Sequence, residues 1–377
     1  MEKQTICMLR SNPVNPDSRV EKECSSLANN GYDVMVLCWD RQSTHPIEEG
    51  MLADGKTRVF RIGAKASFGE GFKNLRAYLS FQFKMRKWLK KHRNEFQAIH
   101  ACDFDTAFFS YGIAKRYKKK FIFDIFDFIC GDGSTFFKRR VKNAQIKLIN
   151  NADATIICTE DRRKQIIQAN PKALYVIHNS PNGSIIDNCG ESATKNEYDI
   201  NVVYVGILSN NRLLLEEAEV FKKHPTWHFV VGGFGLHEEF FKETSAKYPN
   251  IEFIGKTDYK TTLLTEKSAD VLLAIYDPSI ENHIYAAPNK FYESLMLGKP
   301  VIMVENTGMA ENVAKYNIGE LIDYTSEGFE QAIINLIARK QEWPLISDKM
   351  KKLYSTDYDW SIMEARLLDL YFNIFRR

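Results

Sequence analysis

The stretch 286-AAPNKFYESLMLGKPVIMVENTGMAENV-313 decides how this chain is read. Apolar residues recur at helical spacing from Asn289, Gly298-Lys299-Pro300 stops that helix, and Val301–Val304 is an unbroken apolar run of the kind a buried parallel strand shows. A turn at Thr307-Gly308 and a second helix from about Met309 follow. Helix, buried strand and helix in direct succession form the unit of a doubly wound α/β sheet.

The same alternation runs outward in both directions. Upstream, strands are predicted near 5–8, 33–37, 59–62, 98–101, 121–124, 155–158 and 174–177, with helices near 19–29, 72–92, 105–117, 137–150 and 161–168. The segment 180-SPNGSIIDNCGESATKNEYD-199 has no sustained period and is the best boundary. Beyond it strands are predicted near 201–204, 228–231, 251–254, 271–274, 301–304 and 320–322, with helices from about 213, 236, 259, 289, 309 and 327. The chain of 377 residues therefore divides into two Rossmann-like domains, 1–185 and 198–358, expected to face each other across a cleft. The stripe Ile362, Ala365, Leu367, Leu368, Tyr371, Phe372, Phe375 makes 360–377 a last helix, expected to cross back onto the first domain.

Composition narrows the function classes. No apolar run reaches the length of a membrane span, and MEKQTICMLR looks like a first strand instead of a leader, so a cytoplasmic protein is expected. Seven widely spaced cysteines offer no C-x-x-C pair or zinc knuckle and are expected to be reduced, mostly buried thiols. The net charge of +3 conceals a polarity: residues 1–185 carry 31 Lys and Arg against 19 Asp and Glu, a balance of +12, leaving 20 against 29, or −9, for the rest.

The deciding stretch also carries chemistry. A helix N-terminus presents free amides and a positive dipole end to an anion. Here Asn289, Lys290 and Phe291 open the helix, and Glu293 stands one turn in. Together they would form a cradle for a diphosphate and a ribose. The plainer alternative makes Asn289 an N-cap, Lys290 a solvated cation and Glu293 a favourable first-turn acid. In 203-VYVGILSNNRLLLEEAEVF-221, Gly206 permits close approach to a phosphate and Arg212 can neutralise it. Gly233, Phe234 and Lys256, in 231-VGGFG-235 and 254-IGKTD-258, lie at strand ends where bases dock in open α/β sheets, although a tight turn also explains the glycines.

The pattern N-K-F-x-E-x-L-x-x-G-K-P-V-I, with Glu311 beyond it, resembles the donor-nucleotide motif of GT-B retaining glycosyltransferases, the group 1 and family 4-like enzymes of bacterial polysaccharide synthesis. The likeness extends over most of the chain and includes 203–221 and the opening 10-RSNPVNPDSRVEKECSSLANNGYDVMVLCWDR-41. It implies a nucleotide-sugar donor, a glycan or polyprenyl-linked acceptor, transfer with retention, and no cofactor or metal. Arg212 and Lys290 would stabilise the leaving diphosphate. Asp17, Arg19 and Asp103 would stand on the acceptor side, Asp17 and Arg19 being equally readable as an N-cap and a surface cation. Asp127 is the candidate to position or deprotonate the acceptor.

The chain departs from the pattern where Tyr285 replaces a first glutamate, Ile207 an arginine and Phe126 a histidine. Those departures leave room for a sugar-nucleotide epimerase or a catalytically silent partner subunit on the same fold. Asp103-Phe104-Asp105 spells a D-x-D, discounted as a metal site because the diphosphate already has cationic partners. Finally, 73-KNLRAYLSFQFKMRKWLKKHRNEF-96 interleaves cations with apolar residues, and 115-KRYKKK-120 and 138-KRRVK-142 add to the charge. This is either a basic face that binds an anionic lipid surface on the inner side of the membrane or a packed helix with a solvated side. Nucleic acid is not expected, since no recognition motif accompanies the charge.

Overall fold

The computed structural model describes residues 3–66, 74–129, 136–183 and 197–376. Two compact units emerge, Met1–His178 with Glu364–Arg377, and Asn179–Met363.

The first unit begins β1 Thr5–Arg10, α1 Ser18–Asn29, β2 Asp33–Asp40, β3 Glu48–Met51, β4 Arg58–Gly63 and α2 Leu75–Lys91. It continues β5 Ala98–Cys102, α3 Asp103–Arg116, β6 Lys120–Ile125, α4 Phe136–Asn151, β7 Ala154–Ile157, α5 Arg162–Gln165 and β8 Leu174–Val176. Its eight strands lie in the order β3-β4-β2-β1-β5-β6-β7-β8. All pairs are parallel except β3 with β4. The order reverses at β1, so the ends of β1 and β5 form the switch point at which α/β sheets place ligands, with β6 next to it.

The second unit begins β9 Ile200–Leu208, α6 Leu214–Lys223, β10 Trp227–Gly235, α7 Glu238–Ser245, β11 Ile251–Gly255 and α8 Tyr259–Ser268. It continues β12 Val271–Ala274, α9 Asn289–Leu297, β13 Val301–Val304, α10 Ala310–Tyr316, β14 Gly319–Ile322, α11 Ser326–Ala338 and α12 Trp343–Leu353. Its sheet is parallel, in the order β11-β10-β9-β12-β13-β14. The last helix, α13 Trp360–Arg376, belongs to the first unit from Glu364 onward. Tyr371 hydrogen-bonds buried His100 across 2.7 Å, and Phe375 stacks on Tyr32. The helix therefore crosses back as expected.

Several local expectations are corrected. The turn expected at 231–235 is a continuous strand: Gly233 pairs with Gly206 and Gly235 with Leu208. At φ +127°, a Cβ on Gly233 would lie 1.8 Å from the Gly206 carbonyl oxygen, so the glycine is needed for strand contact. Gly206 likewise sits inside β9 and not in a loop. Strand β3 was missed because its EEGM is polar and exposed, an edge strand without the alternation that signals one. Helix α12 also went unread, and the helix expected at 161–168 is one turn, α5. Most of the boundary segment, 184–196, lies outside the described residues. Five cysteines are free and buried, at 7, 24, 38, 102 and 158. Cys130 and Cys189 lie outside the described residues.

Candidate active site

In the second unit, α9 begins after Pro288, whose ring fixes the entry and whose side chain cannot cap the first amides. Asn289 is thus the first helical residue and not the N-cap; its side-chain oxygen accepts a hydrogen bond from Asn179 Nδ2 at 2.9 Å. Gly298, at φ +67°, closes the helix in the left-handed conformation that a side chain resists. Phe291 points into the apolar core and so contributes only its backbone.

Lys290 is not the free point charge that the sequence suggested. Its Nζ lies 2.6 Å from Glu266 Oε1 and 2.7 Å from Glu293 Oε2. Both carboxylates are closed to water, and a buried pair of acids stays stable only around a cation they share. Glu293 is therefore no exposed first-turn acid. Glu266, on α8, carried no sequence signal: nothing in its spacing says that it meets Lys290.

Arg212 is differently placed. Its guanidinium stacks 3.8 Å from the centroid of Tyr276 and donates to the Asn211 carbonyl, with no acid in ion-pair contact among the described residues. The next residue, Leu213, is held at φ +60° before α6 begins. Tyr204, two residues before Gly206 on β9, feels both cations: burial pushes its phenol well up, while Arg212 and Lys290 pull it down. A Cβ on Gly206 would meet the Tyr204 hydroxyl at 2.9 Å. The structure thus brings Gly206, Arg212 and Lys290 to one place, with Tyr204 and Tyr276, which the sequence reading missed. Phe234 and Lys256 form a separate pair, the ammonium 5.2 Å from the exposed ring's centroid.

In the first unit, Asp17 caps α1 through Val20 N and also takes hydrogen bonds from Arg10 Nε at 2.8 Å and Asn12 Nδ2 at 2.7 Å. Burial works against its charge, but Arg10 and Asn12 hold the carboxyl below its usual range. Asp103, at φ +68°, binds Arg10 Nη1 through one oxygen and accepts the Phe126 and Asp127 amides, each at 3.0 Å, through the other. Burial pushes it up to about 6 against the pull of Arg10. Its carboxylate therefore fixes the loop after β6, and this half of the D-x-D is already engaged.

Arg19 is neither a surface cation nor open to a ligand. It is buried, with Nε 3.1 Å from Glu23 Oε1 and Nη2 2.6 Å from Asp124 Oδ1. Phe126 lies under both Arg10 and Arg19, 4.2 and 4.3 Å from its centroid, occupying with apolar surface the position where a histidine was looked for. Asp127 is 70% exposed and receives a hydrogen bond from buried Arg162 at 3.2 Å. His100, Cys102 and Asp124 also bring ligand-type atoms within 4.8 Å of one another. Arg19 already compensates Asp124, and burial holds the Cys102 thiol well above its usual range.

Residues 19–180 match the family described as Glycosyltransferase Family 4, and residues 199–339 match Glycosyl transferases group 1. No curated protein sequence matches the chain. Among solved structures, the fold resembles sucrose-phosphate synthase from Thermosynechococcus elongatus at TM-score 0.76 and 13% identity, covering 99% of this chain and 100% of that one. The Anabaena protein HepE in complex with UDP-glucose aligns at 0.70 and 12% identity, over 98% and 99% of the two chains. A glycosyltransferase from Rickettsia africae aligns at 0.69 and 14% identity over 100% of each.

Proposed function

Because the chain belongs to the group 1 and family 4-like glycosyltransferases and has their GT-B fold, we propose that it moves a sugar with retention from a nucleotide-sugar donor to a glycan or polyprenyl-linked acceptor in surface polysaccharide synthesis. The observation that carries the donor side is that Tyr204, packed against Gly206, lies within electrostatic reach of both Arg212 and Lys290, the latter in the first turn of a helix whose start has no side-chain cap. As the anomeric C–O bond breaks, its electron pair leaves on the diphosphate. Preorganised cations and amides stabilise that growing charge more than the ground state. Arg212 suits the task best, being unspent on any acid among the described residues. Glu293 would accept from the ribose through its remaining capacity, and Phe234 with Lys256 would edge the base.

Asp127, exposed and oriented by Arg162, is the proposed carboxylate for the acceptor hydroxyl. With cations already at the diphosphate, the transfer is proposed to need no metal. HepE is described with UDP-glucose, which makes uridine donors the first to test.

Membrane association is part of the same proposal. On α2, Phe81, Met85, Trp88 and Leu89 pack inward, but Leu75, Leu79 and Phe83 recur every fourth residue on the outside, Phe83 being 71% exposed. Phe136 and Phe137 at the start of α4 are exposed as well, followed by Lys138, Arg139 and Arg140. Apolar side chains among cations suit an anionic bilayer surface. No described helix is long and apolar enough to cross a membrane.

The test is a calorimetric screen of uridine, guanosine and adenosine sugar nucleotides, followed by product analysis with glycan and polyprenyl-phosphate acceptors. Transfer with anomeric retention supports the proposal. Donor epimerisation without acceptor, or no binding of any nucleotide, would refute it.

A further inference from the structure

The cluster around Lys290 has a charge problem that the donor reading leaves unsolved. Two carboxylates, Glu266 at 0% exposure and Glu293 at 1%, face one ammonium. Glu266 Oε2 has no hydrogen-bond partner among the described residues. The other titratable groups packed here are phenols. Tyr259, on the helix that carries Glu266, lies beside Glu293, with Tyr354 beyond it, and Tyr204 approaches Lys290 from β9. All three phenols are pushed up by burial and remain neutral, and Arg212 reaches Tyr204 without contacting either acid. Among the described residues, no cation other than Lys290 forms an ion pair with either carboxylate. In a medium closed to water, the stable state of two acids around one ammonium has a proton on one of them.

We propose that Glu266 is a positioning residue that keeps the start of α9 receptive to a diphosphate only while it is protonated. Neutral Glu266 anchors Lys290 and leaves it balanced by Glu293 alone, so the cluster carries no net charge. Ionised Glu266 makes the cluster net negative beside an incoming anion. The inference rests on the proposed donor site and adds a residue and a pH dependence to it. The proton is assigned to Glu266 because its carboxyl is fully buried with an unpartnered oxygen; burial and then the charge of Glu293 raise it to about 8, with Lys290 pulling the other way.

The experiment is calorimetric titration of the full-length chain with UDP at pH 7 and pH 9, comparing wild type with Glu266→Gln. With a carboxyl titrating near 8, the competent fraction falls from about 0.9 to about 0.1, so wild-type affinity should drop about tenfold. Glu266→Gln, which imitates the neutral acid, should bind at both pH values as wild type does at pH 7. The nucleotide's own protons titrate alike in both proteins and cancel in the comparison. Equal pH dependence in the two would overturn the role of Glu266 while leaving the donor site standing. Absence of binding to UDP, GDP and ADP alike would overturn the donor site and this inference together. A readout independent of any variant is the carboxyl 13C shift of Glu266 in glutamate-labelled wild type. Titration near pH 8 supports the proposal, and titration below pH 6 overturns it.

Discussion

Replacing Arg19 by Met tests whether this residue is structural or belongs to a ligand site. The guanidinium is buried, holds Glu23 and Asp124 at 3.1 and 2.6 Å, and lies over Phe126. Methionine fills much of the volume but leaves two buried carboxylates facing each other, with His100 3.3 Å from Asp124 and 3.7 Å from Glu23. Removing one partner of a buried ion pair costs about 3–5 kcal/mol. The loss should depend on pH with a definite sign. In the wild type, burial and then the charge of Asp124 push Glu23 up to about 7 against the pull of Arg19 and His100. A raised acid means that the folded state binds more protons than the unfolded one, so stability falls as pH rises from about 4.5 to 7. Without Arg19 the carboxyl rises further and the fall continues past pH 7, making the penalty larger at pH 8 than at pH 6. Since two domains need not unfold together, the measurement is hydrogen exchange of β1 and β6 peptides under urea. Arg19→Met combined with Glu23→Gln and Asp124→Asn should regain most of the loss. A penalty under about 1 kcal/mol, or one equal at both pH values, would refute the reasoning. Normal stability with lost substrate affinity would return Arg19 to a binding role.

Gly233→Ala should destabilise the second unit by about 3 kcal/mol or more, because strain at positive φ is compounded by overlap with the Gly206 carbonyl; Gly31→Ala, at φ +93° with open space around it, should cost only about 1 kcal/mol in thermal unfolding. Arg212→Ala should lower turnover at saturating donor by a factor of about 100 with unchanged melting, and normal turnover would make this cation a surface charge. Wild type should sediment with vesicles containing anionic lipid and release them at high salt, while Leu79→Ser with Phe83→Ser should weaken that binding. Equal partitioning onto neutral and anionic vesicles would refute the membrane surface.

The doubly wound architecture was readable because each buried parallel strand is a short apolar run and each helix an apolar stripe, signals that survive without knowledge of neighbours. Val301–Val304, the Gly298 stop and the stripe of α13 show this directly. The cluster at α9 was readable in part for the same reason: a helix start is a local event, and Lys290 and Glu293 share one turn. What remained hidden depends on contacts between residues far apart in sequence. Glu266 meets Lys290, Arg19 meets Asp124 and Tyr276 lies under Arg212 only once the sheets have formed. Whether a charged side chain is a solvated cation, a buried partner or a ligand contact is set by the dielectric around it and by which opposite charge the fold delivers. The residue types at 19 and 266 carry no record of either, so their surroundings were decided by tertiary structure alone, and at 290 the local proximity to Glu293 was readable but the burial and the partnership with Glu266 were not.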